Sequence, residues 1–307
     1  VIPIGKPIPV PSGGSIARIT LSLTLNGRVK DILQRESFDI VHIHEPLTPM
    51  LPLVALRLSQ AINVGTFNAY HNRARGYGLS KHLLKHWLQR LQGKIAVSPL
   101  ACEFINRHFP GDYTIIPNGV DIEHFSPNVP PTERWNDGKQ NILFVGRLEK
   151  RKGLDFLLAA YRKVKQEHDG ARLIVVGPGT RLRSKYEKMV REKDIRDVVF
   201  TGLVPYQELP GYYSAAHIFC APATGEESFG LVLLEAMASG RPVVASNVAG
   251  YAQLIASGEE GLLVRPKDED ALAQTLLSLL QNPERCHEMG KRGRAKAEPA
   301  SRPPAAP

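Results

Sequence analysis

The chain predicts an α/β architecture of two Rossmann-like lobes facing a cleft, and three observations carry that expectation. Short apolar runs ending in loop signals alternate with amphipathic helical patterns along most of the sequence, which is how parallel sheets with helical crossovers read. The stretch "DIEHFSPNVPPTERWNDGKQN", rich in Pro, Asn and Asp and without periodicity, divides two such series. At 307 residues and 43% hydrophobic content, the chain is long enough for two cores of ordinary size.

The elements follow in order. "VIPIGKPIPVPSGGS" reads as irregular. "FDIVHIHEP", "INVGTFNAYH", "GKIAVS" and "YTIIPNG" read as strands of a first lobe over residues 1–125. A doubly wound lobe normally has more strands than these, so the first lobe is expected to be incomplete. Residues 126–140 are expected as a linker. "NILFVGRL", "ARLIVVGPG", "VVFTGLV", "HIFCAPAT" and "RPVVAS" are the strands of a second lobe over 141–296, and residues 297–307 a disordered Pro/Ala tail.

Composition narrows the function classes. The net charge of +9 points to an anionic partner. No run reaches the roughly 18 to 20 apolar residues of a membrane span, and no signal-peptide pattern opens the chain, so a cytoplasmic location is expected. Cys102, Cys220 and Cys286 stand far apart in no CxxC spacing and read as buried thiols. A basic run free of acids carries Arg73, Arg75, Lys81, Lys85, Arg90 and Lys94. Within it Leu84, Trp87, Leu88 and Leu91 share one helical face flanked by Lys81 and Lys85. That layout fits a helix lying on an anionic membrane surface; the plainer alternative packs the apolar face on its own sheet. With few aromatics and no recognised module, nucleic acid is not expected as a partner.

Two motifs suit a diphosphate. In "TGEESFGLVLLEAMASGRPVVAS", Glu227 falls on a strand-to-helix loop and Glu235 on the helix, about 12 Å further along at 1.5 Å per residue. Between them the free amides of Phe229, Gly230 and Leu231, beside Ser228, can receive a phosphate. The two acids would then reach polar groups on either side, the layout of a nucleotide-diphosphate sugar; the bland alternative is a helix-start acid and a surface charge. "GRLEKRKG" supplies Gly146, Arg147, Lys150, Arg151 and Lys152 at a strand's carboxyl end. "VVGPGT" adds Gly177 and Gly179 but lacks the third glycine of a dinucleotide fingerprint. His42, His44 and Glu45 in "VHIHEP" offer the start of a metal-hydrolase site, against which hydrogen-bonded strand-end histidines are the competing reading. "DED" at Asp268 to Asp270 reads as a helix cap.

Taken together, "GRLEKRKG", "GPGT", "GEESFGLVLLEAMASGRPVVAS" and "PNGVD" resemble the retaining glycosyltransferases of family GT4, whose two Rossmann-like lobes form the GT-B fold. "GKPIPVPSGGSIARI" with "FDIVHIHEP" resembles its phosphatidylinositol mannosyltransferase branch. The resemblance implies that Arg147 and Lys152 hold the donor diphosphate, Glu235 the ribose and Glu227 the donor sugar, with Phe229 and Gly230 amides meeting sugar and phosphate. It implies GDP-mannose as donor with no metal or other cofactor, and a phosphoinositide-type lipid acceptor. Ser15 and Arg18 fall on the acceptor-side segment, and the protein is expected to be peripheral on the inner membrane face.

Asn68 stands where the family carries a histidine in a "TFH" setting; it hydrogen-bonds but cannot carry a proton as imidazole does. His71 is three residues on. The family's donor-facing glycine loop would precede Val1, and its closing helix would fall where the Pro/Ala tail is. On these departures the enzyme is expected to be impaired, and the second reading is a non-catalytic, membrane-associated protein that binds nucleotide sugars.

Overall fold

The computed structural model describes residues 2–5, 7–12, 15–20, 24–70, 84–179 and 181–300. The chain forms two compact units, Val1–Pro117 and Asn118–Pro307.

The first unit opens with an antiparallel ribbon, β1 (Pro7–Ser12) and β2 (Ser15–Thr20), where the sequence read as irregular. Prolines at 7, 9 and 11 concealed it, but their spacing of two is what makes it possible. Backbone donors alternate sides along a strand, so all three missing N–H groups fall on one edge, the edge that β2 does not need. Next come α1 (Leu25–Glu36), β3 (Ile40–His44), α2 (Leu51–Leu58), β4 (Ile62–Phe67), helical residues 84–88 (α3), β5 (Gly93–Ala96), α4 (Pro99–His108) and β6 (Thr114–Ile115). The strands make a parallel sheet in the order β3-β4-β5-β6. Helix α4 starts where Ser98 accepts from the Ala101 amide at 3.1 Å, with Pro99 at its first position.

The membrane-facing reading of the apolar helix face is corrected here. Leu84, Leu88 and Leu91 are buried in the first unit's own core with Ile43, Phe67 and Ile105, and Trp87 packs against it. At about 1.5 to 3 kcal/mol per buried leucine, that face is spent on the fold.

The second unit contains β7 (Gln140–Val145), α5 (Leu154–Glu167), β8 (Ala171–Val176), α6 (Arg181–Glu192), β9 (Val198–Gly202), α7 (Leu209–Ala215), β10 (Ile218–Ala221), α8 (Leu231–Ala238), β11 (Val243–Ser246), α9 (Ala249–Ala252), β12 (Gly261–Val264), α10 (Glu269–Leu280) and α11 (Pro283–Ala300). Its parallel sheet runs β12-β11-β10-β7-β8-β9. In chain order within the unit this is 3-2-1-4-5-6, the doubly wound order, and it reverses between β7 and β10. Every residue of β8 is buried, as a strand covered on both faces must be. Asp268 caps α10 by accepting from the Ala271 amide at 2.9 Å.

Residues 126–140 are not a free linker. Val120, Phe125 and Trp135 are buried in the core of the second unit, and Asn141 Nδ2 donates to Trp135 O at 2.8 Å. At the other end α11 continues past residue 297, with Ala297 fully buried, so no tail begins there.

Candidate functional site

Ligands of doubly wound sheets sit beyond the carboxyl ends of the strands that flank the reversal, here β7 and β10. The loops that follow these strands are drawn together by backbone contacts that exclude a side chain. Gly153 has φ 70°, and a Cβ on it would lie 1.8 Å from Pro222 O. A Cβ on Gly177, at φ 155°, would lie 1.9 Å from Gly146 O. The Thr224 amide donates to Arg151 O at 2.8 Å, joining the β7 and β10 loops directly. Gly146, Gly177 and the segment after β10, all expected to contact the donor, are therefore brought together.

In this frame the cationic loop and Glu227 form a chain of ion pairs. Arg147 Nη1 meets Glu149 Oε1 at 3.0 Å, and Glu149 Oε2 accepts from Arg151 Nε at 3.1 Å. Glu227 Oε1 accepts from Arg151 Nη1 at 2.6 Å and from Lys152 Nζ at 2.8 Å. Arg147 keeps 45% of its side chain exposed, while Lys152 and Arg151 keep 16% and 17%. Burial lowers the Lys152 pKa, Glu227 opposes that shift, and Arg151 and Arg147 reinforce it. Excess positive charge at this loop is what an incoming diphosphate would relieve. Both cations use Glu227 Oε1, and Oε2 takes no hydrogen bond among the described residues. The sequence reading did not single out Glu149; its position between two cations in "GRLEKR" was the available signal.

Helix α8 begins one residue after Gly230, which has φ 101° and whose Cβ would meet the Tyr251 ring at 2.9 Å. The first amides of a helix have no acceptor within it, so those at Leu231 and just before can bind an anion. Leu231 is exposed, and Phe229 is buried behind it. On the same helix Glu235 Oε2 accepts from Tyr213 Oη at 2.7 Å, leaving Oε1 without a hydrogen bond. Burial pushes the Glu235 carboxyl above its usual value, with the Tyr213 hydroxyl and His124 opposing. His124 stacks on the exposed Tyr206 ring at 4.3 Å. Tyr213 and His124 also escaped the sequence reading, since the hydrogen bond of one to Glu235 and the electrostatic influence of the other on it span 22 and 111 positions.

Asn68 belongs to the first unit, after β4. Glu45, at φ 52°, accepts from the Asn68 amide at 2.7 Å and from the Ala69 amide at 2.8 Å. His42 Nε2 bonds Thr66 Oγ1 at 2.7 Å and its ring stacks on His44 at 4.9 Å. Glu45 is thus committed to the backbone, and no group of three or more metal-ligating side chains occurs among the described residues. Ser15 and Arg18 lie on β2, opposite Ser12 and Pro9. Lys85 is exposed on α3; Arg73, Arg75, Lys81 and His71 lie outside the described residues. No helix of the described residues is long and apolar enough to cross a membrane.

Comparison with known proteins follows the same division. Residues 126–296 match the family model of glycosyl transferases group 1, and residues 3–124 match Glycosyltransferase Family 4. The chain is 36% identical over 285 residues to a phosphatidyl-myo-inositol mannosyltransferase of Mycobacterium leprae, covering 92% of this chain and 75% of the relative. Among solved structures, a sucrose-phosphate synthase from Thermosynechococcus elongatus matches with a TM-score of 0.74 and 26% identity over 90% of this chain and 74% of that one. Anabaena HepE in complex with UDP and glucose matches in fold, with a TM-score of 0.73 at 19% identity over 89% and 76% of the two chains.

Proposed function

We propose, because the chain belongs to glycosyltransferase family 4, that it transfers mannose from GDP-mannose to a phosphatidylinositol-type lipid with retention of the anomeric configuration. The lipid acceptor and the mannosyl group rest on the names of the relatives. The donor site is argued from the second unit. Arg147 and Lys152 neutralise the departing diphosphate, with the first amides of α8 completing its coordination. Two cations supply there what a metal ion would supply, so the reaction is written without one. Glu235 Oε1 accepts from the ribose diol and Glu227 Oε2 from a hydroxyl of the sugar. Lys85, exposed on α3, then acts as surface charge toward anionic lipid, contributing on the order of 1 kcal/mol.

The observation that carries this reading is Glu227, with one oxygen held by Arg151 and Lys152 and the other without a hydrogen bond among the described residues, three positions before the N-cap of α8. The test incubates the chain with labelled GDP-mannose and phosphatidylinositol vesicles in the presence of a chelator. A mannosylated lipid with the donor's anomeric configuration is expected. Nucleotide binding with no transfer from any sugar nucleotide supports the non-catalytic reading instead, and loss of transfer with the chelator contradicts metal independence.

A further inference from the structure

At the opposite, amino ends of β7 and β10 lies a hollow of about 180 Å³ whose walls include Gln140, His217, Arg241, Leu279, Cys286 and His287. Strand β7 separates it from the donor loops by about 17 Å, at roughly 3.3 Å per residue. No Asp or Glu lines it. Arg241 is the group that calls for an explanation. Its Nη1 donates to Ala216 O at 3.1 Å, and among the described residues its buried Nε has no acceptor and it forms no ion pair. Arg151, half-buried like Arg241, and Arg172, buried, each meet a carboxylate. Burial lowers the Arg241 pKa, with no opposing carboxylate. A guanidinium partly withdrawn from water without a counter-charge carries a cost, and native proteins commonly pair such groups.

His217 adds a donor. Its Nδ1 accepts from the Asn141 amide at 3.1 Å, so the neutral ring carries its proton on Nε2; burial, and then Arg241, lower its pKa. Of the other polar side chains of the wall, Gln140 donates to Leu280 O at 3.1 Å and meets His168, Cys286 Sγ donates to Leu279 O at 3.2 Å, and His287 is exposed. A cation and an imidazole donor therefore face a space without acids. Its size is below the roughly 300 to 1,000 Å³ of sites for drug-sized ligands.

We propose that this hollow is a second anion site of the chain, one that takes inorganic phosphate or the phosphate group of a compact phosphomonoester. Arg241 supplies the charge and His217 Nε2 a hydrogen bond. The site is independent of the donor loops, so the test removes those first. In an Arg147→Ala/Lys152→Ala background, calorimetric titration with inorganic phosphate is expected to show binding. Arg241→Gln in that background weakens it by about tenfold or more, the scale of a hydrogen bond to a charged group, whereas Arg241→Lys retains most of it. In the unsubstituted chain the Arg241 Nε–H resonance shifts on phosphate addition, a readout that requires no variant to fold. Absence of phosphate binding in the donor-loop double variant, equal affinity after Arg241→Gln, or an Arg241 resonance that phosphate leaves unchanged overturns the proposal.

Discussion

Glu235 accepts one hydrogen bond from Tyr213 and is otherwise enclosed, and the enclosure raises its pKa above the ordinary 4.5. A carboxylate accepts from a ribose diol better than a carboxylic acid does. Nucleotide affinity is therefore expected to fall as the pH drops through a window lying above 4.5, and Glu235→Gln should bind more weakly by about 1 to 3 kcal/mol with that pH dependence removed. Calorimetry from neutral to acidic pH checks both. Glu149 holds Arg147 and Arg151 by separate oxygens. Its Gln variant leaves the loop more positive but less fixed, so turnover should drop about tenfold to a hundredfold while nucleotide affinity changes little; a matching loss in both would assign Glu149 a binding role instead. Arg147, Lys152, Glu227 and Glu235 were singled out because each sits in a short motif with its own spacing. Glu149, Tyr213 and His124 were not. Their partners are set by packing, and a buried carboxylate between two arginines reads in sequence as one more loop charge.

Helices and strands with a clear period were read where they occur: β8 from its unbroken apolar run, α10 from its Asp268 cap. The β1–β2 ribbon was missed because three prolines ordinarily argue against a strand, and their common register on a free edge appears only once the partner is known. The helical face of Leu84, Leu88 and Leu91 has the same period whether it meets lipid or protein, so sequence left the choice open and the core settled it. The turns of the donor site give a sharper test of local structure. Gly177→Ala would place a methyl group 1.9 Å from Gly146 O in a left-handed conformation, and should destabilise by about 3 kcal/mol or more. Gly27, inside α1 with nothing within 4 Å of its Cβ, should tolerate Ala with a gain of about 0.4 to 1 kcal/mol. Denaturant unfolding of the two variants is expected to shift the midpoint in opposite directions.

At the scale of the whole molecule the second unit begins at Asn118, earlier than its first strand. Trp135 is a single apolar residue in an aperiodic stretch, which is why residues 126–140 read as a linker although Trp135 joins Val120 and Phe125 just before it in the core. A chain of residues 118–300 should therefore bind nucleotide as the full chain does. One starting at 141 should melt well below it, since losing a buried Phe or Trp costs about 3 to 5 kcal/mol each. The doubly wound order of that unit supports the proposed placement of the donor before any residue role is assigned: the sheet reverses between β7 and β10, and the cationic loop and Glu227 follow these two strands. Alternating runs made the α/β class legible, but strand order could not be read, because crossover helices of similar length serve either side of the first strand. The central claim, a nucleotide-diphosphate sugar held at this reversal, is tested most directly by calorimetric titration of the chain with GDP, UDP and ADP. The account predicts binding with GDP preferred, weakened by about tenfold or more in both Arg147→Ala and Glu235→Ala; equal affinity of the parent and both variants for every nucleotide would contradict it.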